Sequence, residues 1–154
     1  MLSEFDLIAR YFVRPGHPKN RATLGIGDDC ALLAQQDGMQ MAISSDMLVE
    51  GRHFFVGADP RKLGHKSLAV NLSDLAAMGA EPTAFTLAFS LPSAEEKWLA
   101  EFSHGLFELA DAHGCELIGG DTTKGPLNIC ITVFGKTPTG EALRRDTAQI
   151  GDDI

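Results

Sequence analysis

The segment between Asp59-Pro60 and Gly79 constrains this chain more than any other. An aspartate at the N-cap accepts a bond from an otherwise orphaned amide, proline at the first helical position presets φ, and a glycine past the last periodic residue ends the helix. The spacing predicts a helix over about 60–78. Its apolar residues, Leu63, Leu68, Val70, Leu72, Leu75 and Met78 with several alanines, surround the axis, so the helix is expected to be buried on most sides. Such a helix needs a second layer to lie against.

The flanking sequence supplies that layer. Ser3 with Asp6 reads as a capping box, and Phe5, Ile8, Ala9 and Phe12 recur at helical spacing, so a short amphipathic helix opens the chain. The run from Arg14 to Arg21, basic and carrying two prolines, reads as a mobile loop. Leu24 to Ile26 and Cys30 to Ala34 read as strands around Gly27-Asp28-Asp29, and Met39 to Ser44 as a further strand. Thr83 to Leu91 is a strand ending at Pro92. Ser93 and Glu96 read as a second capping box, opening a helix whose face of Trp98, Leu99, Phe102, Leu106, Leu109 and Ala110 runs to Gly114. Cys115 to Ile118 and Leu127 to Phe134 complete the strands. The order implies an α+β domain of two layers, with the second and third helices covering one face of a mixed or mainly antiparallel sheet.

At 154 residues, 44% of them hydrophobic, the chain can bury a core without covalent staples. Cys30, Cys115 and Cys130 lie far apart with no C-x-x-C pair, which argues against a disulfide framework or a zinc ribbon and suits a reducing compartment. No apolar run approaches the ~18 residues that span a bilayer, so a soluble, cytoplasmic protein without membrane association is expected. The 21 acidic residues against 13 lysines and arginines, a formal net charge of -8, disfavour nucleic acid. An anionic small molecule can bind only where something neutralises the carboxylates.

Aspartates recur where an element ends or a small-residue turn begins: Asp28 and Asp29, Asp46, Asp74, and Asp121. A single one is ordinary turn chemistry. Asp74 is different, because it falls inside the 60–78 helix on a side shared with Ser67, Val70, Asn71 and Met78, where no cap is available. A carboxylate on an apolar face requires a cation or a donor, either Lys66 or an arginine in a salt bridge, or a metal. Asn71 alongside adds an oxygen rather than a positive charge, which favours the metal. Asp46 and Asp121, expected at strand ends, would project from one rim beside Ser44, Ser45, Gly119 and Gly120. Hard oxygen donors without clustered histidine or cysteine select Mg²⁺ or Ca²⁺, and converging carboxylates coexist there only with divalent ions between them. Mg²⁺ in turn is the usual partner of nucleotide phosphates. Neither a P-loop nor a complete dinucleotide fingerprint nor the protein-kinase motif set occurs, so a phosphate site would be made from metals and glycine-rich turns. His53 reads either as a substrate contact or as part of a surface loop, and Arg144-Arg145 either as a solvated pair or as a phosphate contact.

Four ordered motifs are together similar to bacterial thiamine-monophosphate kinases: Leu24-Gly-Ile-Gly-Asp-Asp-Cys-Ala-Leu-Leu33, Ala42-Ile-Ser-Ser-Asp46 with Val49-Glu-Gly-Arg-His-Phe54, Ala69-Val-Asn-Leu-Ser-Asp-Leu-Ala-Ala-Met-Gly-Ala80, and Ile118-Gly-Gly-Asp-Thr-Thr-Lys-Gly-Pro126. The resemblance implies an aminoimidazole-ribonucleotide-synthetase-like N-terminal domain and ATP-dependent phosphorylation of thiamine monophosphate to thiamine diphosphate, by direct transfer with several Mg²⁺ ions. It implies Asp29, Ser44, Ser45, Asp46, Asp74 and Asp121 as metal ligands, with Asp28 beside them. Gly120, Asp121 and Arg145 would approach ATP, and His53 would contact the thiamine substrate. It also implies a homodimer in which the sheets of two chains form a β-barrel. Residues 1–154 would then be the N-terminal metal- and ATP-phosphate-binding domain: helix and loop over 1–21, α+β core over 22–138, and a connection over 139–154 to a second domain. Without that domain, turnover is expected near background. Two other readings stand beside it. One is a noncatalytic dimerisation or regulatory module of the same superfamily, and the other is a selenophosphate-synthetase-like enzyme, against which the lack of a Cys-Lys pair near the N-terminus counts.

Overall fold

The computed structural model describes residues 3–15, 17 and 21–152. Helix α1 spans Glu4–Tyr11, β1 Met39–Val49, α2 Pro60–Ala77, β2 Glu81–Leu91, α3 Glu96–His113, β3 Glu116–Lys124 and β4 Asn128–Pro138. The strands form one mixed sheet in the order β1-β4-β2-β3. β4 is antiparallel to both β1 and β2, whereas β2 and β3 are parallel, as the α3 crossover between them requires. The helices pack on the sheet as the two-layer α+β reading expects.

Local signals set the helix ends. The Ser3–Asp6 capping box forms in both directions. At α2 the Asp59 carboxylate accepts from the Lys62 amide at 2.9 Å, Pro60 occupies the first position, and Gly79 follows the C-cap at φ +65°. The second capping box does not form: α3 starts after Glu95, with no side-chain cap, and the Ser93 hydroxyl donates to Glu95 instead. Helix α3 still ends at Gly114, left-handed at φ 60°.

Helix α2 is buried along one stripe rather than on most sides. Leu63, Gly64, Ser67, Leu68, Asn71, Leu72 and Leu75 are covered, while Lys62, His65, Ser73 and Asp74 face solvent. The covered stripe includes two polar residues and the exposed side includes alanines, which is why hydropathy does not reveal its direction. The core joins this stripe to Leu99, Phe102 and Leu106 of α3 and to Phe85, Leu87, Phe89, Ile129, Ile131 and Val133 of the sheet. Phe12, just beyond α1, closes one end, edge-on to Phe89 with ring centroids 5.6 Å apart.

Two strand expectations are corrected. The segments Leu24 to Ile26 and Cys30 to Ala34 form only isolated bridges, Leu24 to Leu32 and Ile26 to Asp28, around the Gly-Asp-Asp turn. Strand β1 runs on through Ser44, Ser45 and Asp46 to Val49, so these residues lie within a strand and not at its end. In the basic loop the described residues are anchored: Arg14 holds Asp111 through two bonds of 2.8 and 3.0 Å and stacks on Phe107, and Arg21 pairs with Glu81. Residues 16 and 18–20 of that loop lie outside the described residues.

Candidate functional site

Successive residues of a strand point to opposite faces, and β1 uses this to separate its polar residues. Ser44 faces α2, where its hydroxyl donates to Asp74 Oδ2 at 2.6 Å. Ser45 faces the other way, bonding Thr132 Oγ1 at 2.9 Å on the helix-free side. Asp46 returns to the α2 side. There its amide donates to Asn71 Oδ1 at 3.2 Å, and Asn71 passes the bond on by donating from Nδ2 to the Ser67 carbonyl at 3.0 Å. Asn71 is wholly buried, and its side chain ties the strand to the helix, its oxygen accepting from the Asp46 amide.

Asp74 is exposed, which removes the desolvation cost the sequence suggested. Its partner is a serine hydroxyl. Lys66, the expected salt-bridge candidate, instead donates its ammonium to the His53 carbonyl at 2.5 Å.

A second cluster lies at the opposite edge of the sheet. The Gly27-Asp28-Asp29 turn faces Gly119, Gly120 and Asp121 of β3 across a cleft of about 610 Å³. Asp28 accepts from the Asp29 amide at 2.8 Å, which shapes the turn. Gly120 adopts φ +148°, and a Cβ there would lie 1.8 Å from the Leu87 carbonyl oxygen, so this position admits only glycine. Asp121 is the sixth of nine residues in β3, within the strand like Asp46.

The register measures the gap between the clusters. Asp46 pairs with Ile131, Ile131 with Leu87, and Leu87 with Gly120, so one line across the sheet runs from Asp46 to the neighbour of Asp121. Three strand spacings make that line about 14 Å. Convergence of all the acidic motifs on one rim is therefore not found. Among the described residues no three His, Cys, Asp or Glu side chains form a ready metal site. Yet Asp28, Asp29, Asp46, Asp74 and Asp121 all lack ion pairs among the described residues, whereas Asp111, Asp146, Glu81, Glu96 and Glu108 each engage an arginine. Of the five motif aspartates, Asp74 accepts from the Ser44 hydroxyl and Asp28 from the Asp29 amide.

Arg145 is exposed and unpaired among the described residues, in contrast to Arg144, which bonds Asp146 at 2.7 Å. The tail that carries both docks through the Leu143 amide to the Met78 carbonyl at 3.1 Å, at the same end of α2 as Asp74. His53 sits in the turn after β1, its Nδ1 accepting from the Val49 amide at 3.0 Å. No helix among the described residues is long and apolar enough to cross a membrane.

Comparison with known proteins places this geometry. The chain is 52% identical to thiamine-monophosphate kinase of Escherichia coli K12 over 98% of its own length and 46% of that protein's. It therefore spans about half the length of the curated relatives it matches. The thiamine-monophosphate kinase structure from Stenotrophomonas maltophilia K279a superposes with a TM-score of 0.82 at 52% identity, covering 88% of this chain and 43% of that one. AaThiL complexed with AMPPCP and TMP superposes at 0.71 with 28% identity, covering 77% and 38%. The N-terminal domain family of AIR synthase related proteins matches residues 27–137, which take in both acidic clusters and the whole sheet but for its last residue, and the chain belongs to that family.

Proposed function

We propose that this chain is the N-terminal domain of a cytoplasmic thiamine-monophosphate kinase, which uses ATP and Mg²⁺ to phosphorylate thiamine monophosphate to thiamine diphosphate by direct transfer. The observation that carries the reading is the family match over residues 27–137, which takes in all five motif aspartates, each without an ion pair among the described residues. Unpaired hard oxygens in this number suit Mg²⁺. The relatives' names and the AMPPCP and TMP complex of AaThiL support the choice of nucleotide and acceptor.

Asp29, Ser44, Ser45, Asp46, Asp74 and Asp121 would hold the ions. Bound Mg²⁺ would offset the charge of the phosphates and of these carboxylates. Ser44 orients the Asp74 carboxylate through its 2.6 Å bond, and Asn71 fixes the Asp46 backbone. Gly120 lets main chain approach the nucleotide without a side chain in the way, with Asp121 beside it, and Arg145 would meet the phosphates. His53 would contact the acceptor. A nucleotide triphosphate with its ions is long enough to engage both clusters across the ~14 Å that the strand spacing sets.

The sheet face away from the helices carries Met41, Ile43 and Met47 at 42, 61 and 56% exposure, an apolar surface suited to a second copy of the chain. The test of the function is calorimetry of ATP binding in Mg²⁺ and in EDTA. Binding should require the metal, and ATP affinity indifferent to EDTA would overturn the reading.

A further inference from the structure

The segment that carries Asp28 and Asp29 is a hairpin with a narrow base. The Thr23 amide donates to the Leu32 carbonyl and the Leu32 amide to the Leu24 carbonyl, each at 2.8 Å, and the chain loops out between them. Its apolar hold on the body is slight: Ile26 packs against the core, whereas Leu24 and Leu32 are 38 and 55% exposed. Such a loop has little of its own to fix where its tip stands.

Its polar hold converges on two side chains. Among the described residues, the hydrogen bonds that join residues 21–34 to the rest of the chain are made by Glu116 and by the Arg21 guanidinium. One oxygen of Glu116 accepts from the Arg21 amide and from the Ala22 amide, the latter at 2.7 Å. The other lies beside Gly25, 3.8 Å from where a Cβ would stand. Arg21 pairs with Glu81 at 3.2 Å between exposed side chains, a contact of small worth in water. The Glu116 bonds are charge-assisted and go to main chain, so they fix the path of the backbone and not the end of a flexible side chain. Glu116 is the firmer anchor.

Glu116 also opens β3, the strand that brings Gly120 and Asp121 to the far wall of the cleft. β3 is paired with β2 from Glu116 opposite Ala84 to Lys124 opposite Leu91, so Asp121 stands at a set distance from Glu116, ~16 Å at the usual rise of a strand. One strand therefore carries one wall directly and holds the other through a carboxylate. We propose that Glu116 is a positioning residue of this cleft: by holding the Arg21 and Ala22 amides it fixes the Asp28–Asp29 turn opposite Gly120 and Asp121. Its carboxylate is spent on main chain, so it acts through the turn. The part it plays in binding rests on the reading of the cleft as a Mg²⁺-ATP site, whereas the tether itself does not.

The test has two arms. In the first, a nitroxide is placed on exposed Cys30 of the isotope-labelled chain, in a Cys130→Ser background whose remaining Cys115 is buried. Broadening of the Gly119, Gly120 and Asp121 amide signals, in EDTA and without nucleotide, then reads the distance between the walls. Glu116→Ala should reduce that broadening, and Glu116→Gln, which keeps an acceptor oxygen, should restore it. Glu116 is half-buried on an outer strand, so alanine takes nothing from the core. The second arm is calorimetry of the unlabelled chain in Mg²⁺. Glu116→Ala should weaken ATP about tenfold at a nearly unchanged urea midpoint, and Glu116→Gln should bind close to wild type. Broadening left unchanged by Glu116→Ala would overturn the tether. Wild-type ATP affinity in Glu116→Ala, a loss that Glu116→Gln does not rescue, or a loss matched by a lower urea midpoint would each overturn the positioning role. A wild-type chain that takes up no ATP in Mg²⁺ overturns the function proposed above, and the tether is then decided by the broadening alone.

Discussion

Gly64 and Gly105 face each other's helices across the α2–α3 crossing with no room for a side chain on either. A Cβ on Gly64 would lie 2.1 Å from the Phe102 carbonyl oxygen, and one on Gly105 would lie 1.9 Å from that of Arg61. The neighbours are main chain and cannot move aside cheaply. Alanine is normally preferred to glycine in a helix by about 1 kcal/mol, but overpacking here should outweigh it. Gly64→Ala and Gly105→Ala are each expected to destabilise by about 1–3 kcal/mol, read as a lower urea midpoint at constant m-value.

Asp74→Asn keeps the shape and one acceptor for Ser44 while removing the charge. Mg²⁺-ATP affinity should fall at least about tenfold with the unfolding midpoint nearly unchanged. Calorimetry showing wild-type affinity in a folded variant would remove Asp74 from the metal site.

Asn71→Leu should act on stability instead. The substitution strands the Asp46 amide, which the side-chain oxygen of wholly buried Asn71 accepts from at 3.2 Å. Leaving that donor unmet costs about 1–3 kcal/mol, measurable by thermal or urea unfolding.

Burial pushes the Cys115 thiol up to about 12 from an ordinary 9.0, with Arg21 opposing weakly. The native state thus holds its proton where the unfolded chain has lost it, so stability falls as pH rises from about 9 to about 12, by about 1.4 kcal/mol per unit, and is unaffected below. Cys115→Ala should flatten that slope in a pH series of unfolding curves. At neutral pH a thiol reagent should modify exposed Cys30 quickly and Cys115 only on unfolding.

Ile43→Glu places a charge on the helix-free face of the edge strand β1, between Met41 and Met47, at a residue 61% exposed in the single chain. Light scattering should show a dimer for the native chain and a monomer for the variant, with monomer stability changed by less than about 0.5 kcal/mol.

What the sequence disclosed was whatever local chemistry decides. Asp59, Pro60 and Gly79 bound α2 nearly to the residue, because caps act within one turn. Strand β1 read five residues short, since Ser44-Ser45-Asp46 looks like a turn until β4 supplies its partners. Ser93 and Glu96 had the spacing of a capping box, but Ser93 spends its hydroxyl on Glu95. Ser67 and Asn71 gave no sign of being buried, because Asn71 finds one partner on another element, the Asp46 amide. The aspartates were legible as a set through their motifs. Their division between two edges of the sheet was not, since only strand order reveals it.

That strand order has a consequence for solubility. Both outermost strands, β1 and β3, carry a motif aspartate in mid-run, and β1 also displays Met41, Ile43 and Met47. An exposed border strand of this length invites another chain to add to it, and inward or mid-strand charge is what natural proteins use to discourage that. Asp46 and Asp121 are charges of that kind, and neutralising either to probe ion binding is expected to raise self-association as well, read by light scattering.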